Sequence, residues 1–176
     1  FALRLPKSHP IPWTLIALGL GLSGLLVFTP ILHYDSLVYH MTLPQVYAQQ
    51  GRWVGQQELI YSAFPQNMEM LWLLGLLLGG GTISNLLGWI LTVMGAWAIV
   101  LFGRRYFSAG TSVWASALWL CMPAVLLLSS GGYIDIGLTV FSFLSFYAVC
   151  LWRDAPDGRT AVLAGILAGL AMGTKY

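Results

Sequence analysis

The stretch SNLLGWILTVMGAWAIVLFG, residues 84–103, runs without a charge and is closed at once by Arg104 and Arg105. As a helix rising ~1.5 Å per residue it covers about 30 Å, the thickness of a bilayer's hydrocarbon core. Similar runs occupy roughly 12–32, 110–129, 134–152 and 160–175, while the run at 70–80 is too short to cross. The expectation is an all-α, polytopic transmembrane helical bundle of about five spans. With 58% hydrophobic and 8% charged residues and a mean hydropathy of +0.78, the chain carries more apolar surface than a soluble domain can bury. Its eight basic residues are too sparse for a nucleic-acid footprint. Cys121 and Cys150 both fall inside apolar runs and read as small hydrophobes.

The basic residues orient the spans. With the N-terminus in the cytoplasm, Arg4, Lys7, Arg104, Arg105, Arg153 and Arg159 lie inside and only Arg52 and Lys175 lie outside, as the positive-inside rule prefers. Counting 70–80 as a span would reverse most of them. Segments 1–11, 104–109 and 153–159 are therefore expected to be cytoplasmic, and 33–83 becomes one long outer loop. The first run is of spanning length, which sets it apart from a signal peptide. The chain opens at Phe1 rather than Met and stops at Tyr176 at the end of an apolar run, so a longer native protein with a further C-terminal part is expected.

About fifty residues outside the membrane, rich in aromatics, are expected to form interfacial helices. Asp35 reads as the N-cap of one that Gly51 ends and Pro44 bends, because proline cannot donate to the His40 carbonyl. A second runs from about Pro65 to the glycines at 79–81, polar at its start and apolar beyond, an arrangement that would hold Glu69 near the headgroups.

Asp154 and Asp157 belong to RDAPDGR, residues 153–159, a cytoplasmic turn. Asp35, Glu69 and Asp135 instead share the outer side. Three acids converging beside a bilayer can bind a divalent cation, act as general bases or carry protons.

Four segments carry a family resemblance: YDSLVYHMTLPQVYAQQG (34–51), YSAFPQNMEMLWLLGL (61–76), GGYIDIGLT (131–139) and GLAMGTKY (169–176). Taken in order, they resemble the N-terminal half of the GT-C class of membrane glycosyltransferases, close to bacterial relatives of family 39 protein O-mannosyltransferases and aminoarabinose transferases. The resemblance implies transfer of a sugar from a polyprenyl-phosphate carrier to a lipid, glycan or protein acceptor at the outer face of the cell membrane, with inversion. It makes Asp35 the base for the acceptor and Asp135 a second catalytic acid. It also implies that Lys175, the best-placed base, contacts the carrier phosphate, and that Glu69 is the candidate ligand should a divalent metal take part. Many members have two adjacent acids at the first motif. Here Ser36 follows Asp35, which leaves His40 or Glu69 to complete the site. Tyr34, Tyr39, Tyr47 and Tyr61 share the loop and can line a sugar pocket, and Arg52 can meet a phosphate.

Plainer readings stand beside these. Asp35 also serves as a cap, Asp135 as an ordinary span-end acid, Lys175 as a snorkelling side chain, and Arg52 as part of a solvated face. His33 and His40 read as interfacial aromatics, and the eight tryptophans as membrane anchors. Gly165, Gly169 and Gly173 form a ridge suited to close helix packing. The alternative function is a proton- or ion-coupled transporter, which would place its acids deeper in the membrane and show an internal repeat. A non-catalytic lipid-binding subunit would tolerate neutral substitution of Asp35 and Asp135.

Overall fold

The computed structural model describes residues 10–55 and 60–175. Arg4, Lys7 and His9, which bear on the orientation of the N-terminus, and Tyr176 lie outside the described residues. The described chain is helical, with no strand among these residues: α1 Pro10–Leu26, a π-helical turn Ser36–His40, α2 Thr42–Gln50, a 3-10 turn Ile60–Ala63, α3 Asn67–Gly79, α4 Gly81–Tyr106, α5 Ala109–Cys121, α6 Pro123–Leu128, α7 Asp135–Asp154 and α8 Gly158–Met172.

Among the described residues two helices, α4 and α7, are long and apolar enough to cross a membrane. The other runs are cut shorter by identifiable residues. The helix of the first run ends at Leu26, before Thr29 and Pro30. The run at 110–129, expected as one span, is two helices, because Met122 precedes Pro123 and takes an extended conformation (φ −66°, ψ 126°). Clash with the proline ring disfavours the helical region for that residue.

α4 is the central element. It packs against α3, α5, α7 and α1, while α7 and α8 form a tight pair. Contact is close because small residues face backbone. At Gly75 a Cβ would fall 2.7 Å from the Ser84 backbone, and the Ser84 hydroxyl donates to the Trp72 carbonyl at 3.0 Å. Ser116 likewise donates to the Ala96 carbonyl at 3.1 Å. The outer surface is apolar, with Leu18, Leu25, Leu77, Leu118, Phe146 and Ile166 exposed. Small hydroxyls inside and large aliphatics outside suit lipid rather than water. A core of Met41, Met68, Trp72, Leu91, Val125, Ile134, Ile136 and Val140 lies near the α7 N-terminus.

The glycine ridge behaves differently from the expectation. A Cβ at Gly165 or Gly169 would meet nothing within 4 Å, whereas one at Gly173 would run into the Asn67 side chain. Only the last glycine is packed within this chain.

Candidate functional site

The site begins with a break in a helix. Pro44 has no N–H for the His40 carbonyl, and the backbone adjusts upstream of it. The Met41 amide donates to the Ser36 carbonyl at 2.8 Å, closing a π-turn, and α2 starts afresh at Thr42. The expected single helix from Asp35 to Gly51, bent at Pro44, is thus two pieces divided at Met41. The stop at Gly51 is as expected, in the left-handed region with φ 64°. Such π-turns often occur at functional sites, since they redirect the side chains that follow. Ser36 fixes this one by donating to the Gly131 carbonyl at 2.6 Å, tying it to the loop ahead of α7.

Asp35 enters the turn in a helical conformation, exposed, and its carboxylate caps none of the amides that follow. The capping expected from sequence is not made. His40, at the other end of the turn, is 2% exposed, and its Nδ1 lies 2.6 Å from Oε1 of Glu69, itself 3% exposed. A carboxylate only accepts, so Nδ1 carries the hydrogen. Glu69 therefore does not sit among headgroups. It lies two residues into α3, between Met68 and Trp72, and His40 covers it. Its second oxygen, Oε2, is buried and has no hydrogen-bond partner among the described residues.

Clips hold α3 in this position. The Asn67 amide donates to the Gly173 carbonyl at 2.9 Å, and Asn67 Nδ2 donates to the Leu170 carbonyl at 3.2 Å, joining the start of α3 to the end of α8. Tyr47 of α2 donates to Oε1 of Gln66 at 2.9 Å, and Gln66 donates on to the Ser62 carbonyl at 2.7 Å. The same region of α8 delivers Lys175, whose Nζ lies 3.3 Å from Oδ1 of Asp135 in the first turn of α7. Both side chains are well exposed, so the pair is worth at most about 1 kcal/mol, but it fixes where the ammonium rests.

Tyr39 stands among these groups. Its ring stacks on Tyr61 (centroids 4.2 Å apart, 11° between planes) and lies 3.9 Å from the His40 ring. Burial pushes its phenol up to about 12, and electrostatic repulsion from Asp35, Tyr61, Glu69 and Asp135 adds to the effect. The phenol stays protonated at neutral pH and can donate a hydrogen bond. Asp35, Glu69 and Asp135 thus all act on this one ring. Beside it lies a cavity of about 110 Å³ lined by Tyr39, His40, Tyr61, Phe64, Pro65, Glu69, Ile134, Thr174 and Lys175. Arg52 sits exposed on the turn after α2, and the His33 ring lies tilted against Tyr133, 5.0 Å between centroids. A larger apolar cleft of about 260 Å³ between α1, α4 and α5 contains no acid.

Among the described residues, no three His, Cys, Asp or Glu side chains gather closely enough to hold a metal ion. Glu69, the expected ligand, has one such neighbour, His40, in place of a ligand set. Sequence reasoning singled out Asp35, Tyr39, His40, Glu69, Asp135 and Lys175 but missed Asn67, Thr174 and the His40–Glu69 pairing. Its one signal was Pro44, whose effect on the preceding turn buries His40.

A family model described as dolichyl-phosphate-mannose-protein mannosyltransferase matches residues 70–176, more than half of the chain. The matched part includes Asp135 and Lys175 and begins immediately after Glu69. No curated protein and no solved structure matches.

Proposed function

The chain belongs to the dolichyl-phosphate-mannose-protein mannosyltransferase family, and on that premise we propose that it transfers a sugar from a polyprenyl-phosphate-linked donor to an acceptor at the outer face of the membrane. In this reading the chain crosses the membrane about five times from a cytoplasmic N-terminus. The observation that carries it is the end of the bundle where Asp35, Glu69 and Asp135 all act on Tyr39 beside a cavity.

Asp35 is exposed and free of capping duty, which suits a group that must meet an incoming acceptor. It takes the acceptor's proton as the hydroxyl or amine attacks the anomeric carbon from the face opposite the phosphate, and the configuration inverts. The lipid phosphate leaves with a growing negative charge. Lys175, parked 3.3 Å from Asp135, is the ammonium within reach to stabilise it, and Asp135 positions that ammonium between turnovers. The protonated Tyr39 phenol supplies a second donor, and Arg52 an outer contact for phosphate. Protein side chains carry each of these steps.

The test is transfer by the full-length protein in membranes, from a radiolabelled polyprenyl-phosphate-sugar mixture with lipid, glycan and protein acceptors supplied. The expected result is a labelled product whose anomeric configuration is opposite to the donor's. A product of retained configuration would contradict the direct displacement. No transfer at all would move the reading to ion-coupled transport.

A further inference from the structure

We propose that the cavity beside Tyr39 and Tyr61 is a subsite for one hydroxyl-bearing edge of a sugar, and that the unpartnered oxygen of Glu69 reads that hydroxyl. The proposal rests on the glycosyl-transfer reading and gives it a specificity determinant.

The sequence made Glu69 the candidate ligand of a metal, and its two oxygens stand in different surroundings. Oε1 is committed to His40, while Oε2 is buried in a residue 3% exposed that lines the cavity, with no partner among the described residues. A buried acceptor in this state demands a donor. An apolar ligand would leave it unsatisfied. A phosphate or carboxylate would be repelled by it.

A hydroxyl meets the demand, because it both donates and accepts. It can donate to Glu69 and accept from the Lys175 ammonium, which lines the same cavity. The stacked rings of Tyr39 and Tyr61 offer a flat face of the kind a sugar's C–H surface lies against. The space of about 110 Å³ has room for a hydroxyl and the ring edge that bears it, with the rest of a lipid-linked sugar outside. His40 is a positioning residue here: its 2.6 Å bond holds Glu69 in one rotamer and leaves the second oxygen for the ligand.

Two measurements on the full-length protein in nanodiscs test this. In the first, a hydrophobic carbodiimide labels buried carboxyls, and the rate at Glu69 is followed by peptide mass mapping in the presence of methyl hexopyranosides and their monodeoxy analogues. At least one glycoside should protect Glu69, and loss of one particular hydroxyl should weaken protection by about 100-fold, as expected when a buried polar group loses its partner. In the second, kcat/KM for transfer is compared between a donor and its monodeoxy analogues. Glu69→Gln keeps an acceptor for His40 but replaces the second oxygen with an NH2 donor, so the wild-type discrimination of about 100-fold should collapse to a few-fold. Labelling indifferent to every sugar, or discrimination unchanged in Glu69→Gln, would overturn the subsite. Protection without any transfer would instead overturn the glycosyl-transfer reading and leave the subsite standing.

Discussion

The two ends of this bundle carry similar numbers of acids and treat them in opposite ways. At the arginine end, Asp154 accepts from Tyr106 at 2.6 Å and pairs with Arg105 and Arg153 at 3.3 and 3.2 Å, closing the ends of α4 and α7 together. Asp157 caps α8 by accepting from the Arg159 and Thr160 amides, both at 2.9 Å. At the other end Asp35 caps nothing, and Glu69 keeps one buried oxygen without a partner among the described residues. An acid whose lone pairs are all used is structural. An acid left short of partners in a folded protein costs stability, and such costs are concentrated where a ligand or a reaction makes use of them.

That contrast can be broken by mutation, most severely at the buried pair. His40→Ala would leave the Glu69 carboxylate buried without its partner, a loss of about 3 kcal/mol or more by the usual cost of breaking a buried pair. Detergent-solubilised protein should then lose its monodisperse peak at a clearly lower temperature in heated size-exclusion runs. A thermal profile matching wild type would show that the pair is not closed as described. Gly75→Ala comes next. The added Cβ meets the Ser84 backbone, which cannot swing away, so α3 must shift from α4 at a cost of about 1–3 kcal/mol. Because α3 carries Glu69, transfer should fall along with the midpoint of thermal unfolding. A fall in stability alone would uncouple α3 placement from the site.

The arginine end should yield the smallest effects. Hydrogen bonds from the Thr160 side chain and backbone hold the Asp157 carboxyl below the usual Asp range. A lowered native value means that its stabilisation is fully present above the ordinary Asp pKa and is lost as pH falls through the lowered native one. Wild type should therefore lose a little thermal stability on acidification across and below the Asp range, and Asp157→Asn should remove that component while leaving transfer at neutral pH unchanged. An identical acid limb in the two proteins would show that the cap contributes nothing.

Much of this architecture was legible in sequence. The uncharged runs gave the helices, the glycines at 51 and 80 ended α2 and α3 as their left-handed or open backbone requires, and the charges sorted the acids to one end. The breaks were less legible. Pro123 sits within an apolar run, and hydropathy cannot see that it forces Met122 out of the helix. The polarity of Glu69 at the start of an otherwise greasy helix suggested a surface position, because no local pattern reveals a partner 29 residues away. Gly165 and Gly169 looked like a packing ridge, but spacing alone does not say which surface a ridge meets.

The most direct test of the account compares two isosteric changes, one at each end. Asp35→Asn and Asp154→Asn would be made in the full-length protein, and sugar transfer measured in membranes at matched expression. The account predicts a loss of about 10²–10⁴-fold for Asp35→Asn, the usual worth of a general base, and a change of no more than about twofold for Asp154→Asn. Equal activity of the Asp35→Asn variant and wild type would remove Asp35 from the chemistry and contradict the claim that this end of the bundle is the catalytic one.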